Sequence, residues 1–351
     1  MDSLISILQT RREHGSLGEQ AFIDKYIMPL KAKPMTNQQG EILAYVVDNS
    51  HGHSKVLWSA HIDTMHHDKK LDGTSAPLTQ EVWVDHDGLA FVTDQCDCLG
   101  ADDGAGMWLM FQMLMADVAG TYIFHRGEEK GCWGSSQMAM HHYDWLKGFT
   151  HAIAFDRRGT TSVITHQRGE RCCSDALGTQ LVNLFGMSHE LDPTGVYTDT
   201  AEYMDIIPEC LNISIGYNSE HSHHETLDTT YVLALRDAIC ALDWDKLTLV
   251  CERDPSKHEY RDGYGVYGGW NAYSNYSGVK GNLSPYEMPD VERILSTPTR
   301  ALAAWVSEAD PEDVAFLLQD LADQLEQAQY AMDDYYGDNV ADYTGLKVGM
   351  M

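Results

Sequence analysis

The sequence predicts an α/β fold, a three-layer sandwich in which a largely parallel mixed sheet lies between helices. Apolar segments of strand length alternate with segments of helical periodicity over the first 250 residues. Several of the strands end in carboxylate or imidazole side chains. In open α/β sheets a site forms at the carboxyl ends of the strands, so these side chains can converge. A chain of 351 residues is long enough for such a domain and an appendage.

The helices are predicted from apolar residues at helical spacing. Within the α/β domain they cover residues 3–12, 19–30, 102–119, 133–147, 172–188 and 229–249. The third of these is apolar all round, which predicts a buried helix of the core.

The strands are predicted from short apolar or alternating segments. Residues 41–48 alternate, and we expect this strand to pair with KVLWSAHIDT, which ends at His61 and Asp63. EVWVD and LAFVT predict a hairpin in an insert of some thirty residues before Leu99. The later strands are TYIFH, HAIAFD and CLNISIG.

Beyond the α/β domain, which we assign to residues 1–250, the composition changes. Residues 251–288 are rich in Gly, Tyr and Asn and predict a linker or a covering loop. Residues 289–351 predict an acidic helical hairpin and tail, with Asp310 as the N-cap of its second helix. The narrow apolar stripe of that helix favours docking on the domain or on a second copy of the chain, which would make a homo-oligomer.

Charge and cysteine usage exclude several functions. The formal net charge is −29, which disfavours binding to nucleic acid or to an anionic membrane. The chain has no run of 18 apolar residues, and we expect no signal peptide because its first residues lack a basic segment followed by an apolar one. The eight cysteines form no pair of CxxC units, and we expect reduced thiols in a cytoplasmic protein.

The segment LGADDGAG places Asp102 and Asp103 at the start of the buried helix. On its own, this pattern is typical of a helix N-terminus, where free N–H groups and the helix dipole favour carboxylates. However, further candidates follow the strands. They are His61, Asp63, Glu128, Glu129, Asp156 and the histidines 221, 223 and 224.

The order HID, GADDGAG, GEEKGxxGS, AFD and HSxxE resembles the co-catalytic di-zinc exopeptidases, which include bacterial aminopeptidases, tripeptidase T and related zinc deacylases. The resemblance covers residues 40–250. It implies that Asp102 bridges two zinc ions, for which Co²⁺ or Mn²⁺ can substitute, and that a cis peptide follows Asp102. The implied ligands are His61 and Asp156 for one ion, and Glu129 and His221 for the other.

The resemblance also implies that Glu128 is the general base and that Asp63 orients His61. These roles suit the chemistry. Zinc accepts imidazole and carboxylate ligands, and two ions can share one carboxylate and one water of lowered pKa. Amide hydrolysis then needs a base that takes the proton of the water and returns it to the leaving amine.

Some assignments stay open. The family pattern of a histidine followed four residues later by an acid fits His221 with Glu225, and His223 is the next candidate. Only 65 positions separate Asp156 from His221, which leaves no room for an inserted lid domain. An oxyanion donor must then come from elsewhere. The candidates for this role or for substrate binding are Tyr197, Tyr203, Tyr217 and Arg157.

Three functions therefore compete. The first is an aminopeptidase or small-peptide exopeptidase with two zinc ions. The second is a deacylase or other amidohydrolase that acts on a non-peptide amide. The third is a non-catalytic binding or assembly protein built on a peptidase scaffold.

Overall fold

The computed structural model describes residues 2–67, 77–93 and 96–259. The predicted helices of residues 289–351 lie outside these ranges. The helices of the described part are α1 (Asp2–Leu8), α2 (Leu17–Phe22), α3 (Ala101–Met115), α4 (Trp133–His141), α5 (Tyr143–Leu146), α6 (Asp175–Phe185) and α7 (Thr229–Cys240). α2 continues directly into a π-helical turn at Ile23–Ile27.

Eight strands form the main sheet, in the order β1-β2-β6-β3-β7-β12-β8-β11. Their bounds are β1 (Lys33–Thr36), β2 (Ile42–Asn49), β3 (Val56–His61), β6 (Gly120–His125), β7 (His151–Arg157), β8 (Ser162–Ile164), β11 (Glu190–Asp192) and β12 (Glu209–Ser214). The smaller strands are β4 (Trp83–Val84), β5 (Leu89–Phe91), β9 (His166–Gln167), β10 (Glu170–Arg171), β13 (Tyr217–Asn218) and β14 (Thr226–Asp228).

The centre of the sheet is parallel, as the sequence predicts. β6, β3, β7 and β12 run in the same direction, while β1, β2 and β8 add antiparallel pairs. β3, β6 and β12 are buried along their whole length, which is why they read as continuous apolar segments. The predicted α/β class is thus confirmed.

Helices cover this sheet. α3 packs on β3 and β7 and contacts α1 and α7. α4 packs on β2 and on a 3-10 turn at Asp199–Tyr203, which itself contacts β3, β7 and β12. Residues 101–110 of α3 are all buried, so the prediction of a core helix is confirmed.

The predicted pairing of β2 with β3 is wrong. β2 pairs with β1 and β6, and β6 lies between β2 and β3. The reason is the parallel crossover β3–α3–β6, which returns the chain beside β3 and takes the edge that β2 would otherwise occupy. β2, in which residues 43–46 are buried in succession, is displaced one position outward.

Several helices are shorter than predicted because local caps end them. α6 begins after Ser174, whose hydroxyl accepts the Leu177 N–H at 3.2 Å, and it ends at Gly186, which has a φ of 63°. The helix predicted over residues 133–147 breaks at His142, whose φ is −124°.

The predicted hairpin is present. β4 and β5 pair antiparallel, and β14 and β13 extend them into a four-stranded sheet. Of the helices in the described ranges, none is long and apolar enough to cross a membrane.

Ordered packing continues past residue 250. Arg253 is buried, and its guanidinium donates hydrogen bonds to the carbonyl oxygens of Met204 and Pro208, both at 2.9 Å. The backbone N–H groups of Glu252 and Arg253 donate to the buried carboxylate of Glu209.

Candidate metal centre

His61, the last residue of β3, places its imidazole beside two carboxylates. Its Nδ1 lies 3.0 Å from the backbone carbonyl oxygen of Asp63, so Nδ1 carries a proton that it donates there. Its Nε2 lies 3.0 Å from Asp102 Oδ1 and 3.6 Å from Asp156 Oδ1. Burial lowers the pKa of His61, but these carboxylates outweigh it and raise the pKa well above 6.5.

A second imidazole faces the other oxygen of Asp102. His221 Nε2 lies 3.2 Å from Asp102 Oδ2 and 3.1 Å from Glu129 Oε2. The contacts with Asp102 and Glu129 raise the pKa of His221 to about 11. His223 and His224 are instead exposed, with tilted rings whose centroids lie 3.9 Å apart. His221 is therefore the histidine that the loop brings to the carboxylates.

Asp102 therefore presents one carboxylate oxygen to each imidazole. Burial alone would raise its pKa, but the hydrogen bonds from His221 and His61 lower it. The peptide bond between Asp102 and Asp103 is cis, as the family resemblance implies. With one oxygen facing each imidazole, Asp102 has the geometry expected of a carboxylate that bridges two cations.

Asp156, on β7, is held by two hydroxyl groups. Thr198 Oγ1 donates to its Oδ2 at 2.6 Å, and the Tyr217 hydroxyl lies 3.2 Å from its Oδ1. Burial and the neighbouring charge of Asp102 raise the pKa of Asp156 to about 7. The hydroxyl groups orient the carboxylate toward His61.

Asp103 is also close to His61 and Asp156, and the three could be grouped as metal ligands. Its carboxylate, however, accepts the backbone N–H groups of His61 at 3.2 Å and Gly106 at 2.9 Å. Burial raises the pKa of Asp103 well above 3.8. We therefore assign Asp103 to the start of α3 and retain Asp102 as the shared carboxylate.

Glu128 and Glu129 lie on a 3-10 turn after β6. Glu128 lines a cleft beside Asp102, and the Cys132 thiol contacts its Oε1 at 3.5 Å. Burial raises the pKa of Glu128 well above 4.5.

Asp63 contacts both the turn that carries Glu128 and Glu129 and the imidazole of His61. Its carboxylate accepts the backbone N–H groups of Gly127, Glu128 and Glu129 at 2.8–3.2 Å. The carboxylate itself is 3.9 Å from His61 Nδ1, so the closer contact with that imidazole is made by the backbone carbonyl of Asp63. Asp63 thus positions the glutamate turn as well as His61.

Glu225 was not among the predicted site residues, although the family pattern pairs it with His221. It is 1% exposed, and its carboxylate accepts the four successive backbone N–H groups of residues 99–102 at 2.8–3.0 Å. It therefore holds the loop that carries Asp102. Burial raises its pKa to about 7 despite these hydrogen bonds.

The cleft next to these groups has a volume of about 270 Å³. It is lined by Asp102, Glu128, Asp156, Arg157, Arg158, Ile164, Gln167, Gly195, Val196, Tyr197, Asn212, Tyr217, Glu220 and His221. Of the predicted tyrosines, Tyr197 and Tyr217 line the cleft. Tyr203 is completely buried, and its hydroxyl lies 2.6 Å from His125 Nε2.

The donor set fits divalent cations. Two imidazoles and three carboxylates converge, and buried Glu129 Oε1 has no hydrogen-bond partner, as expected of an atom that a metal ion would contact. Imidazole nitrogen and carboxylate oxygen are both ligands that divalent metal ions accept in proteins.

Comparison with solved structures identifies the fold. The aminopeptidase PepT of Bacillus cereus ATCC 10987 matches with a TM-score of 0.53 at 11% identity, over 68% of this chain and 96% of that chain. A tripeptidase of Staphylococcus aureus matches with a TM-score of 0.51 at 11% identity, over 68% and 95%. The TET1 peptidase of Pyrococcus horikoshii, which can assemble into a tetrahedron or a large octahedral shell, matches with a TM-score of 0.50 at 16% identity, over 68% and 98%.

No protein-family profile matches the sequence, and no curated protein matches it significantly. The chain thus has the fold of the PepT, tripeptidase and TET peptidases at low sequence identity, as the order of its motifs predicts.

Proposed function

We propose that the protein is a zinc-dependent hydrolase of amide bonds, an aminopeptidase or small-peptide exopeptidase. The observation that carries this proposal is Asp102, which has one carboxylate oxygen 3.0 Å from His61 and the other 3.2 Å from His221. A carboxylate shared in this way between two imidazole–carboxylate groups suits a centre of two metal ions.

The residues that would hold zinc are His61 and Asp156 on one side, Glu129 and His221 on the other, and Asp102 between them. Zinc bound there would polarise the scissile carbonyl and acidify the attacking water. Glu128, which lines the cleft without being placed as a ligand, would take the proton of that water and return it to the leaving amine.

The substrate assignment is supported by the neighbouring structures, which are an aminopeptidase, a tripeptidase and a TET peptidase. The same proposal includes a domain of residues 1–250 as the catalytic unit, a cytoplasmic location and a homo-oligomer formed through the helices that the sequence predicts within residues 289–351. Assembly is supported by the TET1 peptidase, which forms large shells.

The test combines metal analysis with activity. Wild type and Glu128→Gln are compared for zinc per chain and for hydrolysis of aminoacyl anilides, tripeptides and N-acyl amino acids. We expect two zinc ions in both proteins and a loss of kcat of about 10²-fold to 10⁴-fold in the variant, the size of a typical acid–base contribution.

Three results would overturn parts of this proposal. Activity that survives Glu128→Gln would remove Glu128 as the base. Turnover of N-acyl amino acids alone would make the protein a deacylase. Two bound zinc ions without turnover of any amide would favour the binding scaffold.

A further inference from the structure

A buried imidazole next to the turn of Glu128 and Glu129 takes no part in the proposed hydrolysis. His125 is the last residue of β6 and is 0% exposed. Its Nδ1 lies 3.1 Å from Asp199 Oδ2, and its Nε2 lies 2.6 Å from the Tyr203 hydroxyl. Asp199 and Tyr203 are the first and last residues of the 3-10 turn Asp199–Tyr203. One imidazole on β6 therefore contacts both ends of this turn.

The side chains of Asp199 and Tyr203 are as inaccessible as that of His125, at 1% and 0% exposed. Removing an imidazole and a carboxylate from water costs free energy, and their mutual attraction does not always offset this cost. Apolar side chains of similar volume are often as stable in such a place. The contact of His125 with Asp199 is thus better explained by the position that it imposes on the turn than by a gain in stability.

The turn begins beside a ligand of the candidate centre. Thr198 directly precedes Asp199 and is 1% exposed, and its Oγ1 donates to Asp156 Oδ2 at 2.6 Å. Because the distance between neighbouring Cα atoms is fixed, holding Asp199 restricts where the Thr198 hydroxyl can lie. The contacts of His125 with the turn therefore reach the Asp156 carboxylate through Thr198.

The backbone of His125 contacts the strand that carries the other ligand of the same ion. In the parallel pair of β3 and β6, His125 is the register partner of His61. Its carbonyl oxygen accepts the N–H of Ile62, the residue after His61, at 2.9 Å. His125 thus connects the strand that carries His61 with the turn that orients Asp156.

We propose that His125 is a positioning residue of the metal centre, which holds the turn Asp199–Tyr203 so that the Thr198 hydroxyl orients Asp156 toward His61. The inference rests on the proposed function, since it concerns the ion that His61 and Asp156 would hold. Groups that orient a metal ligand usually change the metal affinity when they are removed. His125 acts one step further from the ion, and it acts through Thr198.

The test is a double-mutant cycle on zinc affinity, measured by chelator competition on the full-length protein. Thr198→Val removes the hydroxyl that contacts Asp156 at similar size. His125→Gln removes the contact with Asp199, because the glutamine amide can replace Nε2 of the imidazole but not Nδ1. We expect Thr198→Val to raise one of the two dissociation constants of zinc by about 10-fold to 100-fold, and His125→Gln to raise the same constant by about 10-fold.

The double variant distinguishes positioning through Thr198 from a general effect on the fold. Adding His125→Gln to Thr198→Val should change that dissociation constant by less than about twofold, because the group through which His125 acts is already missing. In the Co²⁺-loaded proteins the visible absorption bands should shift in the same direction in both single variants. Each of them alters the orientation of the Asp156 carboxylate at the ion.

Tyr203→Phe removes the other contact of His125 at nearly constant volume, and it takes the place of His125→Gln in the cycle if that variant does not fold. It should raise the same dissociation constant by about threefold to tenfold, and by less than about twofold in the Thr198→Val background. The matched control is Tyr231→Phe, because Tyr231 is another buried tyrosine whose hydroxyl lies 2.7 Å from an imidazole, that of His189. This control should leave both dissociation constants within about twofold of wild type.

Two kinds of result count against this inference. Zinc affinity that is unchanged in His125→Gln and Tyr203→Phe overturns it, and so does a loss that is equally large with and without the Thr198 hydroxyl. In both cases a wild type that binds two zinc ions leaves the proposed function standing. A wild type that binds no zinc overturns the proposed function, and the inference with it.

Discussion

At the scale of single residues, the candidate centre depends on groups that hold its ligands in place. Thr198 and Tyr217 contact Asp156, Asp63 holds the turn of Glu128 and Glu129, and Glu225 holds the Asp102 loop. Groups that orient ligands in this way usually matter for metal affinity nearly as much as the ligands do. Of these groups, Glu225 accepts the most backbone hydrogen bonds, four against the three of Asp63.

We expect Glu225→Gln to weaken metal binding. The amide can accept with one oxygen only, so its NH₂ group faces N–H groups of residues 99–102 and leaves them unpaired. The expected loss is 10-fold to 100-fold in zinc affinity and about 1–3 kcal/mol in the free energy of unfolding. Chelator competition and urea denaturation measure the two quantities.

Glu252→Gln is the matched control, because that exposed glutamate contacts the domain through its backbone N–H. It should change neither the zinc affinity nor the free energy of unfolding. A Glu225→Gln variant with the zinc affinity of wild type would show that the loop does not need this carboxylate.

Single residues could be predicted from the sequence only where they follow a strand or begin a helix. His61, Asp102, Glu129 and Asp156 belong to this class, and the structure brings their side chains together with His221. Groups such as Thr198 reach the centre only through tertiary packing, so no local pattern marks them. Tyr203 is the opposite case. It lies near the motifs in sequence, but its side chain is buried in the core and not in the cleft.

At the scale of elements, α3 reaches the centre because glycine lets it pack closely against β7. A Cβ atom on Gly106 would lie 2.3 Å from the backbone carbonyl oxygen of Phe155 and 2.2 Å from Asp103 Oδ1. Phe155 directly precedes Asp156. The small residue therefore sets the distance between the helix that carries Asp102 and the strand that carries Asp156.

We expect Gly106→Ala to destabilise the protein by about 3 kcal/mol or more, since overpacking against rigid backbone costs 1–3 kcal/mol and occasionally more. It should also reduce zinc binding, because the two elements that carry Asp102 and Asp156 must separate. Thermal denaturation and zinc titration are the measurements.

The comparison variant is Gly148→Ala, where the added Cβ would meet one heavy atom of the described residues within 4 Å, Trp145 O at 3.1 Å. This variant should lower the free energy of unfolding by less than about 1 kcal/mol, as do most substitutions away from the core. Equal stability of the Gly106→Ala variant and wild type would mean that α3 can shift without disturbing β7.

The sequence predicted which segments are helices and which are strands better than it predicted which strands pair with each other. The apolar segments identified β3, β6, β7 and β12, and the glycine-flanked segments identified the hairpin of β4 and β5. The neighbour of β2 was not predictable, because strand order depends on the crossover through α3 and not on proximity in sequence. Helix ends depended on caps such as Ser174.

At the scale of the whole molecule, a buried ion pair links the N-terminal helices to the sheet. Glu19 on α2 is fully buried and accepts two hydrogen bonds from Arg126, at 2.7 and 2.9 Å, just after β6. Burial alone would raise the pKa of Glu19, but Arg126, His14 and the Gly15 N–H outweigh it and lower the pKa from 4.5 to about 2.

This lowered pKa predicts acid sensitivity. Because Glu19 is more acidic in the folded than in the unfolded chain, it stabilises the fold above pH 4.5, and the contribution is lost as the pH falls toward 2. This lowering of the Glu19 pKa corresponds to about 3 kcal/mol in the free energy of unfolding. The free energies of unfolding of wild type and Glu19→Gln, measured by urea denaturation, should differ most near pH 6. The difference should shrink as the pH falls below 4.5.

Glu81→Gln, at an exposed position, is the control. Its free energy of unfolding should stay close to that of wild type across the same pH range. A Glu19→Gln difference that stays constant from pH 6 to pH 3 would contradict the assigned role of Arg126.

At this scale the sequence was informative about architecture because alternating strand and helix patterns allow few α/β arrangements. It was less informative about where the domain ends. Arg253 and Glu252 pack on Glu209 although the apolar patterning stops earlier. A single arginine that donates to buried carbonyl groups adds no periodic pattern to the sequence. Its packing on the domain is therefore seen only in the three-dimensional structure.

The two halves of the candidate centre differ in solvent access. The side chains of His61 and Asp156 are 1% and 7% exposed, whereas that of His221 is 45% exposed. If two ions bind as proposed, the cation at His221 would exchange readily with the surrounding solution. The cation at His61 would have the longer residence time, so the protein would pass through a half-loaded species as it gains or loses metal.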